Sequence, residues 1–303
     1  MPSNQNPLGA LPSRFRRQRV LIVGCGDIGL RVAATLQARM RVLALSSSPE
    51  RLPELRSLGI VPLLGNLDRR ATLQRLAGLA TRVLYLAPPA SEGWTDPRAR
   101  ALLRALRRRS HPLQLVYGST SGVYGDCGGA WVDETRAVKP GTARAQRRVD
   151  AESQLRFFGR SAHVSAQVLR IPGIYAADRV GGTPRERLQK GTPVLRAEDD
   201  VFTNHIHSDD LARACLLALW KGRPQRSYNI CDHTVLKMGD YFDLAADLYQ
   251  LPRPPRVARD SAQQQLPTML LSFMSESRRL VNRRLVQELG LRLRYPTVAE
   301  GLR

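Results

Sequence analysis

The chain has 303 residues, 43% hydrophobic and 24% charged, values that allow a sizeable core and exclude general disorder. Its formal charge of +21 comes from 47 Lys and Arg against 26 Asp and Glu, and all but four of those basic residues are Arg. No run approaches the ~18 apolar residues of a membrane span, and MPSNQNPLGALPSRFRRQRV has no apolar segment before its basic cluster, so neither a span nor a secretory signal is expected. The expected location is cytoplasmic.

Residues 1–18 read as a disordered basic extension. After them strand and helix alternate. VLIV (20–23) is a short apolar run ending at glycine, and Ile28, Val32, Ala33 and Leu36 recur at helical spacing. RVLALS (41–46) predicts a second strand, PERLPELRSLG (49–59) a short helix, VPLL (61–64) a third strand and RRATLQRLAGLA another helix. RVLYLA (82–87), an Arg-rich helix near 97–109, LQLVYGS (113–119), a helix over 141–159 and HVSAQVLRI (163–171) continue the pattern. Such alternation predicts a doubly wound parallel sheet with helices on both faces.

Beyond Ile171 glycines, prolines and charges break the rhythm. Residues 172–303 are expected to form mainly a smaller C-terminal substrate lobe, with 206–232 returning to the sheet. This tail contains His205-Ile206-His207, a helix through Trp220, a strand around SYNI (227–230) and helical patterns near 239–250 and 278–290. Two histidines on one strand face could ligate a metal. Ser208, Asp209 and Asp210 stand where a helix cap belongs, however, and no metal is expected. The four cysteines form no CxxC pair, so reduced thiols are expected rather than disulfides or zinc. The arginines suit anionic partners, yet no aromatics interleave with RALRRRS (104–110) or RRLVNRR (278–284), so nucleic acid is not the expected partner.

Gly24-Cys25-Gly26-Asp27-Ile28-Gly29 spells GxGxxG between a strand and an apolar-periodic helix, the context of dinucleotide binding. Gly24 would permit a tight turn, Gly26 close approach of a pyrophosphate and Gly29 tight helix–strand packing. An NAD site usually carries Asp or Glu at the end of the second strand; this chain has Ser46-Ser47-Ser48 and then Arg51. Hydroxyls and a guanidinium would bind a ribose 2′-phosphate that a carboxylate repels, which favours NADP over NAD.

These motifs, with GNLD (65–68), YLAPP (85–89), STSGVYGD (119–126), LRIPGIYAADR (169–179), NHIHSDDLA (204–212) and YNICD (228–232), resemble an extended or atypical short-chain dehydrogenase/reductase of the NAD(P)-dependent epimerase/dehydratase family. The resemblance implies a Rossmann-type domain over 19–171, with cofactor contacts at Asn66, Leu67, Leu86, Ala87, Pro88 and Ile171. It implies a substrate-binding hydroxyl at Thr120 and admits a homodimer. A Tyr-x-x-x-Lys pair normally completes the site, Tyr shuttling the proton and Lys holding the ribose. Those roles fall here on Arg144 and Arg148, and residues 125–174 contain no Tyr. A guanidinium stays protonated, so Arg144 could polarise a carbonyl or bind an acidic group but could not shuttle a proton. Arg148 could keep the ribose contact. Tyr124 remains a candidate proton donor, Tyr175 an alternative. The expected activity is that of an oxidoreductase or epimerase/dehydratase on a sugar nucleotide or small carbonyl or hydroxyl compound, without the usual proton relay. The alternative is a catalytically lapsed NADP-binding redox sensor or scaffold.

Overall fold

The structure, a computed structural model, describes residues 18–303. The expected N-terminal extension therefore lies outside the described residues, except for Gln18, whose side chain accepts a hydrogen bond from Arg82 at 2.8 Å. Strands β1 (Arg19–Val23), β2 (Arg41–Ser46), β3 (Val61–Leu64), β4 (Arg82–Tyr85) and β5 (Gln114–Thr120) alternate with helices α1 (Asp27–Leu36), α2 (Arg51–Ser57) and α3 (Pro97–Leu106). The two-residue strand β6 (Trp131–Val132) precedes the long helix α4 (Ala143–Ser161) and strand β7 (Ser165–Ile171). The C-terminal part adds β8 (Gly173–Tyr175), α5 (Arg185–Gln189), β9 (Val194–Leu195), β10 (Phe202–Thr203), β11 (His205–His207), α6 (Ser208–Lys221), β12 (Arg226–Asn229) and α7 (Met238–Tyr249).

Seven strands form one sheet in the order β12-β7-β5-β4-β1-β2-β3, every neighbouring pair parallel. Alternation along β1 shows why both faces need cover. Val20 and Ile22 enter a core with Val32, Leu36, Leu211 and Cys215, while Leu21 and Val23 enter the opposite core with Leu102, Leu106, Leu155 and Phe158. A strand buried on both faces is what an almost wholly apolar run specifies. Chain order reverses between β1 and β4, so a crevice opens at the carboxyl ends of these strands.

A third core, with Tyr175, Leu188, Val194, Val201, Phe242 and Ala245, belongs to the C-terminal lobe. Between its pieces the chain runs back to the sheet: β12 pairs with β7 from Arg226↔Gln167 to Asn229↔Arg170.

Three local expectations differ from the structure. The helix expected after β3 is a 3-10 helix, Arg70–Leu76. The Thr72 hydroxyl there bonds the carbonyls of Asn66 and Arg69 and receives the Asn66 N–H, a local alternative to α-helical pairing. The helical pattern near 278–290 divides into strand Arg279–Leu280, paired with β6, and a helix over Arg283–Gln287. Between them Asn282 donates to the carbonyls of Cys231 and Asp232, so a tertiary contact overrides the local period. Helix α6 begins at Ser208, and its cap is His207, whose Nδ1 accepts the Asp209 N–H at 3.2 Å. The expected capping residues instead form the first turn. Asp210 there accepts the backbone N–H groups of Arg294 and Tyr295.

Candidate active site

A cleft of about 270 Å³ lies at the carboxyl ends of β1, β4, β5 and β7. Of the expected positions, Gly24, Gly26, Asp27, Ile28, Gly29, Leu86, Thr120, Arg144, Arg148 and Ile171 line it. Gly118, Ser119 and Arg179 join them without having been singled out in the sequence.

The three glycines do separate work. Gly24 has φ +90°, and a Cβ there would stand 2.3 Å from the Ala87 nitrogen, so only glycine allows β1 to end against the strand leaving β4. Gly29 packs where a Cβ would meet the Gly24 carbonyl oxygen at 3.1 Å and Ile22 at 3.2 Å. At Gly26 a Cβ would meet nothing within 4 Å, because that position opens on the cleft. Gly26 is also the N-cap of α1 and offers no capping side chain, leaving backbone N–H groups and the positive end of the helix dipole toward the open space. These features fit a dinucleotide pyrophosphate. Burial pushes the Cys25 thiol up to about 11, so within this turn the side chain is an inert packing group.

The end of β2 lies beside the same turn. Arg51, at the start of α2, donates to the Cys25 carbonyl at 3.0 Å. Ser46 is half-buried and accepts the Ser48 N–H at 3.2 Å, while Ser47 is exposed. Asn66 caps its own turn by accepting the Asp68 N–H, and Leu67 is buried in the core beneath it. Ala87 lies buried under Gly24, and Pro88 is exposed. These residues border the cleft turn rather than line it. Asp27 does line it, with its carboxylate 2.9 Å from Arg31 and 3.5 Å from Arg179. Arg31 also holds Asp209 at 2.6 Å and Asp178 at 2.7 Å, so one guanidinium joins α1, α6 and the loop after β8.

The other end of the cleft is built from side chains. Thr120 ends β5 opposite Ile171 of β7, and its hydroxyl accepts the Gly122 N–H at 3.2 Å. Helix α4 brings Arg144 and Arg148, one turn apart, to the cleft. Arg148 is buried and donates to the Gly118 carbonyl at 2.7 Å and the Tyr117 hydroxyl at 3.0 Å. Burial raises the Tyr117 phenol to about 12 against the opposing charge of Arg148, so it is no ready source of phenolate. Arg144 is exposed at the cleft wall and makes no hydrogen bond or ion pair among the described residues. Partial desolvation, then the like charges of Arg148 and Arg147, lower its pKa below the ordinary value.

Tyr124 is not brought to the cleft. The 3-10 turn Ser121–Tyr124 carries it inward, where its hydroxyl donates to Asn229 at 2.8 Å and accepts from Arg170 at 2.9 Å. Tyr175 is buried in the lobe core, its hydroxyl donating to the Thr297 carbonyl at 3.3 Å. Neither tyrosine lines the cleft, and the Tyr124 hydroxyl, committed on both sides inside the protein, is not placed to pass a proton to a ligand there. Nothing in the sequence pointed to the pair beneath β5. Glu152 on α4 binds Arg170 at 2.8 Å and accepts the Ser119 hydroxyl at 2.7 Å, fixing the floor next to Thr120. Burial opposes the Arg170 charge, and Glu152 more than restores it, leaving that guanidinium above its ordinary pKa.

His205 and His207 are buried in ring contacts. His205 lies 4.2 Å from Tyr241 and His207 lies 3.7 Å from Tyr295, centroid to centroid. Among the described residues no group of three His, Cys, Asp or Glu could hold a metal ion, and no helix is long and apolar enough to cross a membrane.

With strand order, glycine turn and cleft in place, residues 20–231 match the NAD dependent epimerase/dehydratase family. The chain belongs to that family. A conserved protein of unknown function from Silicibacter pomeroyi is 32% identical, with 94% of this chain and 96% of that one covered at a TM-score of 0.79. The UDP-glucose 4-epimerase of Thermus thermophilus, solved with NAD, is 22% identical over 94% and 96% of the two chains at a TM-score of 0.72. The UDP-glucose 4-epimerase of Thermotoga maritima, solved with UDP-glucose, is 20% identical over the same shares at 0.75. These two likenesses show the fold. No curated protein matches the sequence.

Proposed function

We propose that the protein is an NADP(H)-linked oxidoreductase or epimerase/dehydratase-like enzyme acting on a sugar nucleotide or a small carbonyl or hydroxyl compound, with arginines where a proton relay would stand. The observation that carries this reading is the cleft itself. One wall is a glycine turn with a bare helix N-terminus, and the other presents Thr120, Arg144 and Arg148.

When bound, a nicotinamide dinucleotide supplies hydride exchange with a substrate carbon. The protein's own groups do the rest. Gly26 and the first N–H groups of α1 receive the pyrophosphate. Arg51 and the hydroxyls of Ser46 and Ser47 receive the ribose 2′-phosphate, a task suited to a guanidinium already positioned beside Cys25. Arg148, anchored by Gly118 and Tyr117, keeps a positive charge beside the nicotinamide ribose. The Thr120 hydroxyl holds the substrate oxygen, and Arg144 polarises it or binds an acidic group of the substrate. No Tyr, Lys or His lines the cleft among the described residues, and its one carboxylate, Asp27, is paired with Arg31, so on this reading the proton comes from water or from the substrate.

The same observation supports a second reading, a binding protein that senses the redox state of NADP without turnover. The test is titration with NADPH and NADH, followed by turnover assays with nucleotide sugars and small carbonyl compounds. The enzyme reading expects tighter NADPH binding and a turnover lost in Thr120→Ala but kept in Tyr124→Phe. Saturable NADPH binding without hydride transfer across the panel selects the sensor. Failure to bind either cofactor removes both.

A further inference from the structure

The charges around the cleft do not balance where substrate would sit. Arg144, Arg148 and Arg179 line it, and Asp27 is the one carboxylate among the described lining residues. Asp27 is already engaged, lying 2.9 Å from Arg31 and 3.5 Å from Arg179 at the glycine-turn end. At the Thr120 end Arg148 gives its Nη1 N–H groups to a carbonyl and a phenol, both uncharged acceptors. The neighbouring Arg147 turns away to the Gly93 carbonyl at 2.6 Å. Among the described lining residues Arg144 alone keeps a whole guanidinium without a hydrogen bond or ion pair, beside the second positive charge of Arg148.

We propose that Arg144 docks a carboxylate of the substrate, so that the compound turned over is an anionic oxo or hydroxy acid with its reacting oxygen on Thr120. This deepens the oxidoreductase reading and rests on it. A free guanidinium presents two parallel N–H donors, which match the two coplanar oxygens of a carboxylate. The unbalanced charge and the free fork are the same side chain, so one monoanion satisfies both. A phosphate would ask for more donors than one fork offers, and Nη1 of the neighbouring Arg148 is already used. An uncharged sugar ring would leave Arg144 uncompensated. The site therefore selects by charge first and by the geometry of the reacting oxygen second.

The test is a binding measurement that needs no turnover. Wild-type protein saturated with NADPH is titrated with oxamate, an unreactive analogue of a 2-oxo acid, and separately with inorganic phosphate and UDP-glucose at fixed ionic strength. Cofactor fluorescence or calorimetry reports binding. Saturable oxamate binding is expected, weakened about tenfold or more in Arg144→Gln and partly recovered in Arg144→Lys, the loss of one charge-assisted pair. NADPH affinity in Arg144→Gln is expected within about threefold of wild type, because the residue lies at the other end of the cleft from the glycine turn. Thermal melting confirms that each variant is folded. Equal oxamate binding by wild type and Arg144→Gln overturns the proposal, as does absence of oxamate binding. Dependence on Arg144 of phosphate or UDP-glucose binding instead also overturns it. Failure of the wild type to bind NADPH is a separate result that removes the cofactor reading underneath.

Discussion

The two ends of the cleft are made of different material. At the glycine turn the contacts are backbone: a positive φ at Gly24, a helix packed on Gly29 and bare N–H groups beyond Gly26. At the far end they are side chains: Thr120 next to a floor fixed by Glu152, Arg170 and Ser119, Arg148 held by Tyr117 and Gly118, and Arg144 without a bond at the wall. A backbone site tolerates almost no change of residue type, because the requirement is the absence of a Cβ. A side-chain site can exchange one chemistry for another while the scaffold persists. That difference would let the glycine turn persist beside the arginines proposed to stand in place of a proton relay.

Substitutions along the glycine turn separate its two jobs and should give the largest effects. Gly24→Ala forces a Cβ to within 2.3 Å of the Ala87 nitrogen at a positive φ. It should cost roughly 3 kcal/mol or more and lower Tm by several degrees, measured by calorimetry. Gly26→Ala meets open space, so it should melt close to wild type and yet weaken NADPH about 100-fold, because the new methyl occupies the pyrophosphate's approach. If both variants melt alike, the turn is not divided in this way. Next in size, Ser46→Asp with Arg51→Ala should weaken NADPH roughly tenfold or more and NADH by less than about threefold. Equal losses would remove the 2′-phosphate assignment. The smallest effect sharpens the other end. Tyr124→Phe removes one hydrogen bond from Asn229 Oδ1 and one from Arg170, which keep their other partners, and it should cost about 1 kcal/mol in urea unfolding with no change in ligand affinity at the cleft. A large loss of affinity there would return Tyr124 to the site.

The contrast also explains what the sequence could disclose. The sheet was legible because strands buried on both faces must be apolar throughout, and the glycine turn because each steric demand writes the same residue at fixed spacing. Thr120, Arg144 and Arg148 were legible only through resemblance, since nothing in a single arginine says which way its helix faces. Tyr124 misled for a related reason. It lies four residues from Thr120, and the intervening 3-10 turn is enough to send it into the core. Glu152 and Arg170 sit on a helix and a strand that read as ordinary elements, and their pairing exists only after the two pack. The Ser208–Asp210 segment suggested a cap by composition, but the backbone chose the His207 ring.

Arg31 carries a consequence for how the cleft can move. Its three carboxylates come from the first turn of α1, from the loop after β8 and from the start of α6. The first turn of α1 and the loop that carries Asp178 are thus tethered to a single cation. Swinging that loop outward strips Asp178 from Arg31 and leaves Asp27 and Asp209 to share it. The residue holds three elements together by charge, and its pair with the exposed Asp178 is the one most open to screening by salt.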